Sequence, residues 1–177
     1  MTAPVLVLCL GNELRADDGF GWRVADLLIA APIPGAIVRK TALSGLHLVD
    51  ELSGFEQVVL VDAVVGGRRP AGTLVELCFE DLPAVAGPSS HGLGLPTSLR
   101  LARAFGVDVP RRVFVVAAEV RDLSTMRLGL TPEVEAAVEP AAARVRALVA
   151  TLASEPLPLV PGPGVSTGPA AAQLSRT

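Results

Sequence analysis

Short aliphatic runs recur along the chain at Val5 to Leu10, Ala36 to Lys40, Gln57 to Val61, Thr73 to Phe79 and Arg112 to Ala118, and stretches of helical period lie between most of them. Runs of this length, apolar at consecutive positions, suit strands covered on both faces. Strands that alternate with helices in turn suit a largely parallel sheet sandwiched by those helices. The expected class is α/β. With 177 residues, 50% of them hydrophobic, the chain can enclose one sizeable core but not two, so one domain is expected over residues 1–154. Beyond Ser154 the composition turns to Pro, Gly, Ala and Ser with no apolar period, and residues 155–177 are expected to form a disordered tail.

Local signals refine this outline. Phe20, Val24, Leu27 and Leu28 share one helical stripe, and the Asp17/Asp18 pair ahead of them offers N-cap carboxylates for a helix reaching about Ala31. Only about seven residues, Gly66 to Gly72, separate the third and fourth runs. A parallel crossover needs a dozen or more, so this pair is predicted to be an antiparallel hairpin. Thr131 and Pro132 read as N-cap and first position of a C-terminal helix with Val134, Val138, Val145, Leu148, Val149 and Leu152 on its apolar face. Pro140 inside that helix predicts a kink or break near Glu139.

Composition excludes several classes of function. Fifteen basic and eighteen acidic residues, net −3, are spread along the chain and leave no footprint for nucleic acid. The chain has no Tyr and one Trp, too little aromatic material for a base-stacking platform. Val5 to Leu10 is too short to cross a membrane and lacks the basic flank of a secretion signal, so a cytoplasmic protein without membrane contact is expected. Cys9 and Cys78 lie in apolar runs, where a thiol acts as a small core side chain. Gly11, Gly19 and Gly21 miss the dinucleotide spacing, with Glu13 where a second glycine belongs, and no Gly-x-Ser-x-Gly elbow occurs. Ser89 and Ser90 adjoin His91 in sequence only and do not by that fact make a triad.

Three side chains stand out against this background. Asp18 follows the first run, Asp62 ends the third, and His91 follows the fourth through a Pro/Ser turn and precedes the helical stripe of Leu95 and Leu99. In open α/β sheets, ligands gather outside the carboxyl ends of the strands, where all three could meet. Two carboxylates and an imidazole form an O,O,N set for a divalent transition ion, and three protein ligands leave positions open for substrate or water. Each residue alone also has an ordinary role: Asp18 as a helix cap, Asp62 as a turn residue, His91 as a loop histidine. His47, on a predicted helix after Ser44-Gly45-Leu46, suits a surface or groove role better than a ligand role.

These residues resemble the hydrogenase maturation endopeptidases, which trim the C-terminal tail of the large subunit of nickel-iron hydrogenases. The resemblance rests on Val5 to Asn12 followed by Asp17-Asp18-Gly19-Phe20-Gly21, on Val61-Asp62-Ala63, on Ser90-His91-Gly92-Leu93-Gly94-Leu95, and on Leu128-Gly129-Leu130-Thr131-Pro132-Glu133-Val134-Glu135. It implies a three-layer α/β/α sandwich with a mixed, mostly parallel five-stranded sheet. It also implies that Asp18, Asp62 and His91 are both the catalytic and the metal-contact residues of an aspartic-type endopeptidase. The partner would be the hydrogenase large-subunit precursor, and the metal would be nickel supplied by that substrate, with zinc or cadmium as substitutes when the protein is isolated. A monomer is expected. The chain departs from the family where many members carry an Asp-Gly-Gly-Thr-like turn: it reads Lys40-Thr41-Ala42-Leu43-Ser44-Gly45, without the acid, which points to a subgroup serving a different hydrogenase or substrate. Apolar loop residues Leu43, Leu46, Val85 and Leu93 could line a cleft for the tail. A non-catalytic metal-checking chaperone of the same precursor and a small zinc amidohydrolase remain the alternatives.

Overall fold

A five-stranded sheet in the order β2-β1-β3-β5-β4 organises the computed structural model, which describes residues 3–45, 47–67, 69–78 and 95–154. Its strands are β1 (Val5–Leu10), β2 (Ala36–Thr41), β3 (Gln57–Val64), β4 (Leu74–Cys78) and β5 (Arg112–Glu119). The helices are α1 (Phe20–Ala30), α2 (His47–Leu52), α3 (Leu95–Ala104), α4 (Pro132–Glu135) and α5 (Val138–Ser154). Leu46, Val85, His91, Leu93 and residues 155–177 lie outside the described residues.

β1 pairs in parallel with β2 and β3, β3 pairs in parallel with β5, and β4 alone runs antiparallel, against β5. The sheet is therefore mixed and mostly parallel. Alternation along each strand sends successive side chains to opposite faces. Val5, Val7, Cys9, Val59, Val61 and Ala63 join the core beneath α1 and α5. Leu6, Leu8, Leu10, Val58 and Leu60 join a second core beneath α2 and α3. Covering both faces explains why β1 is apolar and buried at all six positions rather than at every other one. Among the described residues, no helix is long and apolar enough to cross a membrane.

Three local expectations are corrected. β4 does run antiparallel, but it does not form a hairpin with β3, because β5 occupies the place between them. The connecting residues 65–73 need only cross two strand spacings, roughly 10 Å. Strand character decides which strand goes inside. β5 has eight residues with its last four buried, whereas the five-residue β4 carries an exposed Glu76 and so suits the edge, where that side chain pairs with Arg144 at 2.6 Å.

The second correction concerns the start of α1, which is preceded by a 3-10 turn, Ala16–Gly19. The capping position falls on Gly19 with no side-chain cap, so neither aspartate acts as the predicted N-cap. Third, the C-terminal helix is broken, but at residues 136–137, leaving Pro140 in the first turn of α5. A continuous helix would need the N–H of residue 140 to reach the carbonyl of residue 136, and proline has none to give.

Candidate active site

Strand order places a topological switch point between β1 and β3: from β1 the chain first turns to β2 on one side, then returns to β3 on the other. In sheets of this type, the crevice outside the carboxyl ends at the switch point is where ligands bind. Two glycines let α1 settle into that crevice. A Cβ on Gly21 would stand 2.1 Å from the Leu10 carbonyl oxygen and 2.8 Å from that of Val61, so the first turn of α1 lies directly on the ends of both strands. Gly11, at φ +150°, leaves no room either, since a Cβ there would come within 2.2 Å of the Asp18 carbonyl oxygen. That same carbonyl accepts the Asn12 N–H at 3.2 Å and closes the loop after β1.

Asp18 thus sits three residues ahead of the Gly21 contact and is fully buried. The register Cys9↔Val61 carries Asp62 level with Leu10, the last residue of β1, and Asp62 is only 6% exposed. One oxygen of its carboxylate accepts the N–H of Ala63 at 2.8 Å. Two acids from different elements therefore share one edge of the sheet. His91 cannot be placed beside them, because it falls outside the described residues. Among the described residues, no three His, Cys, Asp or Glu side chains converge as a metal site.

Asp17 has a different task from its neighbour. Its carboxylate accepts the Thr131 N–H at 2.6 Å and the Thr131 hydroxyl at 3.0 Å, while the side chain itself is buried. This clamp fastens the turn holding Asp18 to the head of α4, and it joins two of the sequence blocks, Asp17-Asp18-Gly19 and Leu130-Thr131-Pro132, into one structural unit. A second link lies just upstream, where Ala16 N–H donates to the Arg127 carbonyl at 2.7 Å and Arg127 N–H to the Leu14 carbonyl at 3.1 Å.

Sequence reasoning missed Glu119. It ends β5 opposite Val64, is 4% exposed, and accepts the N–H groups of Gly66 and Gly67 at 2.7 and 2.6 Å through one oxygen. By strand alternation it shares a face with Ala117, the register partner of Asp62. The signal was available: an acid closing an aliphatic run marked Asp62, and Glu119 closes the fifth run in the same way. Its carboxylate holds the loop that leaves β3 just after Asp62.

The turn after β2 is closed without an acid. Thr41 is buried, its hydroxyl accepts the Leu43 N–H at 3.1 Å, and its carbonyl accepts the Trp22 indole N–H at 3.3 Å. Lys40 pairs with Asp26 at 2.6 Å and stands 5.5 Å above the Trp22 ring. His47 opens α2, is exposed, and lines a groove of about 360 Å³ with Asp50, Leu101, Phe105 and Val107, in keeping with a groove position.

A sequence profile for hydrogenase maturation proteases matches residues 42–147. The chain is 30% identical over 158 residues to the hydrogenase 2 maturation protease of Escherichia coli (strain K12), covering 87% of this chain and 95% of that one. It is 33% identical over 147 residues to the hydrogenase expression/formation protein HoxM of Azotobacter vinelandii, covering 80% and 70%. Among solved structures, the hydrogenase maturating endopeptidase HybD from E. coli superposes with a TM-score of 0.74 at 29% identity, over 84% of this chain and 93% of that one.

Proposed function

The chain belongs to the hydrogenase maturation proteases, and from that premise we propose that it is the endopeptidase that removes the C-terminal extension of a nickel-loaded nickel-iron hydrogenase large-subunit precursor. The observation that carries this reading is the pair of buried acids, Asp18 and Asp62, brought from separate elements to the carboxyl edge at the β1/β3 switch point. The chemistry of that donor set suits a hard or borderline divalent ion. His91 would complete it.

In this reading the nickel is part of the substrate, already held by the precursor, and an incomplete set of protein ligands reads its presence. Near the scissile bond the ion supplies polarisation of the carbonyl. Asp18 or Asp62 takes a proton from the attacking water and returns it to the leaving amine, so that the peptide bond yields a carboxylate and an amine. Asp17 and Glu119 keep the two loops at this edge in place through the hydrogen bonds described above.

Co-expression with the precursor, read as a mobility shift of the large subunit, tests the reading. Asp18→Asn, Asp62→Asn and His91→Ala should each lower trimming by a hundredfold or more while circular dichroism and melting stay native. Normal trimming by these variants removes the site. A wild-type protein that binds the precursor but never cuts it, whatever metal is loaded, is a chaperone. Stoichiometric zinc with turnover of small amides identifies an amidohydrolase.

A further inference from the structure

The loop that carries Asp18 is paired at Arg15 with a segment more than a hundred residues away. Arg15 and Arg127 form an isolated parallel bridge, framed by the hydrogen bonds of Ala16 and Arg127. Residues directly opposite in such a bridge project on the same side, with backbones roughly 5 Å apart. Both arginines are exposed, and among the described residues neither forms an ion pair. Four other surface cations are paired, Arg23 with Glu135, Arg39 with Glu51, Lys40 with Asp26 and Arg144 with Glu76, while Arg69, Arg111 and Arg121 form no ion pair among the described residues and Arg15 and Arg127 differ from those three in standing side by side. Nor does the nearby Asp122 serve as counter-ion, since its carboxylate is engaged by the N–H and hydroxyl of Ser124 and the hydroxyl of Thr125. Two adjacent guanidiniums repel each other, and together they suit a carboxylate that both can fork.

Large apolar side chains accompany them. Leu14, Met126 and Leu128, the sequence neighbours of the two arginines, are 51, 70 and 72% exposed. Along an extended ribbon these neighbours alternate with the arginines, so the face that Arg15 and Arg127 share is an unneutralised basic pair, complementary to a peptide that carries an acid. Its position names the peptide. Arg15 stands three residues from Asp18, at most about 10 Å of extended chain, so what its side chain grips lies within a few residues of a bond cut at Asp18.

Resting on the function proposed above, we infer that this ribbon is the substrate-docking rim. Arg15 and Arg127 together clamp one Asp or Glu side chain of the precursor within a few residues of the scissile bond. The rim sets specificity and affinity and leaves the chemical step to the buried acids.

Trimming kinetics of purified nickel-loaded precursor, with kcat and KM resolved, test this. The R15Q/R127Q double variant should raise KM at least tenfold and keep kcat within twofold, and added salt should raise the wild-type KM far more than that of the variant. Precursor with the acids flanking the cut bond changed to amides should show the same tenfold loss against wild type and no further loss against the double variant. Lysine in place of the acid should restore trimming by R15E/R127E. An unchanged KM in the double variant overturns the inference, as does additivity between the precursor and protease changes. If wild type does not cut at all, the proposed function falls, and surface plasmon resonance on the same precursor decides the rim: weaker binding by the double variant supports it, equal binding overturns it. Both arginines are exposed, and unchanged melting of the variants shows that their fold is intact.

Discussion

Asp17 shows how one residue can govern the placement of the next. Its carboxylate is committed to the N–H and hydroxyl of Thr131, so the turn presenting Asp18 is fixed from α4 and not from its own helix. Asp17→Ala strands a backbone donor and a hydroxyl, and should cost about 1–3 kcal/mol in urea unfolding; Asp17→Asn keeps an acceptor and should cost clearly less. Trimming should fall in the same order. The sequence made both aspartates visible and set Asp18 apart as a candidate ligand, but it gave Asp17 only a capping role, because local spacing says nothing of a partner 114 residues away. Cys9, by contrast, was read correctly as a core thiol: burial pushes its pKa up to about 12, with Lys40 lowering it and Asp26 raising it to a smaller extent. Below about pH 9 folded and unfolded chains both keep this proton. Between about 9 and 12 only the unfolded chain releases it, so stability declines with rising pH by up to about 1.4 kcal/mol per unit. Cys9→Ala should flatten that decline relative to wild type, measured by chemical denaturation at stepped pH.

At the level of elements, the sequence showed the strands more readily than their neighbours. Apolar runs located all five to within a few residues; β1, buried on both faces, has no polar position to blur it, while the edge strands β2 and β4 were found despite Arg39, Lys40 and Glu76. Counting the residues between β3 and β4 excluded a helical crossover and fixed the direction of β4, yet a third strand arriving later in the chain took the place beside β3. The acid in β4 was the available clue, because Glu76 is tolerable at an edge and costly inside. Pro140 gave a similar mixture: it does interrupt the C-terminal helix, but the break settles at residues 136–137, upstream of the proline. Within α5 the proline lies in the first turn, where a missing N–H leaves no helical bond unmade. Pro140→Ala should therefore change stability by no more than about 1 kcal/mol, whereas proline at the exposed Ala143, one turn later, should cost roughly 3 kcal/mol or more. Thermal melts of the two variants distinguish a break set by the fold from one imposed by the residue.

For the whole molecule, the arrangement of two cores about one sheet determines where the site can be. With both faces covered, α1 and α5 on one side and α2 and α3 on the other, the accessible part of the sheet is its rim, and the switch point selects the β1/β3 crevice within that rim. The opposite rim serves stability. There Gln57, the first residue of β3, donates through its side-chain amide to the Leu152 carbonyl at 3.4 Å, and Leu152 itself, 2% exposed, is the last core residue among those described. α5 thus closes the core at the end away from the buried acids. Ending the chain after Ser154 should leave both the melting temperature and precursor trimming unchanged, because every described core contact is retained. Ending it after Leu148 removes Val149 and Leu152 from beneath the sheet, two buried aliphatic side chains whose loss should cost about 3–6 kcal/mol. Calorimetry on the two shortened chains measures this directly. If the first melts markedly below the full chain, residues 155–177 belong to the folded unit and the domain extends past α5.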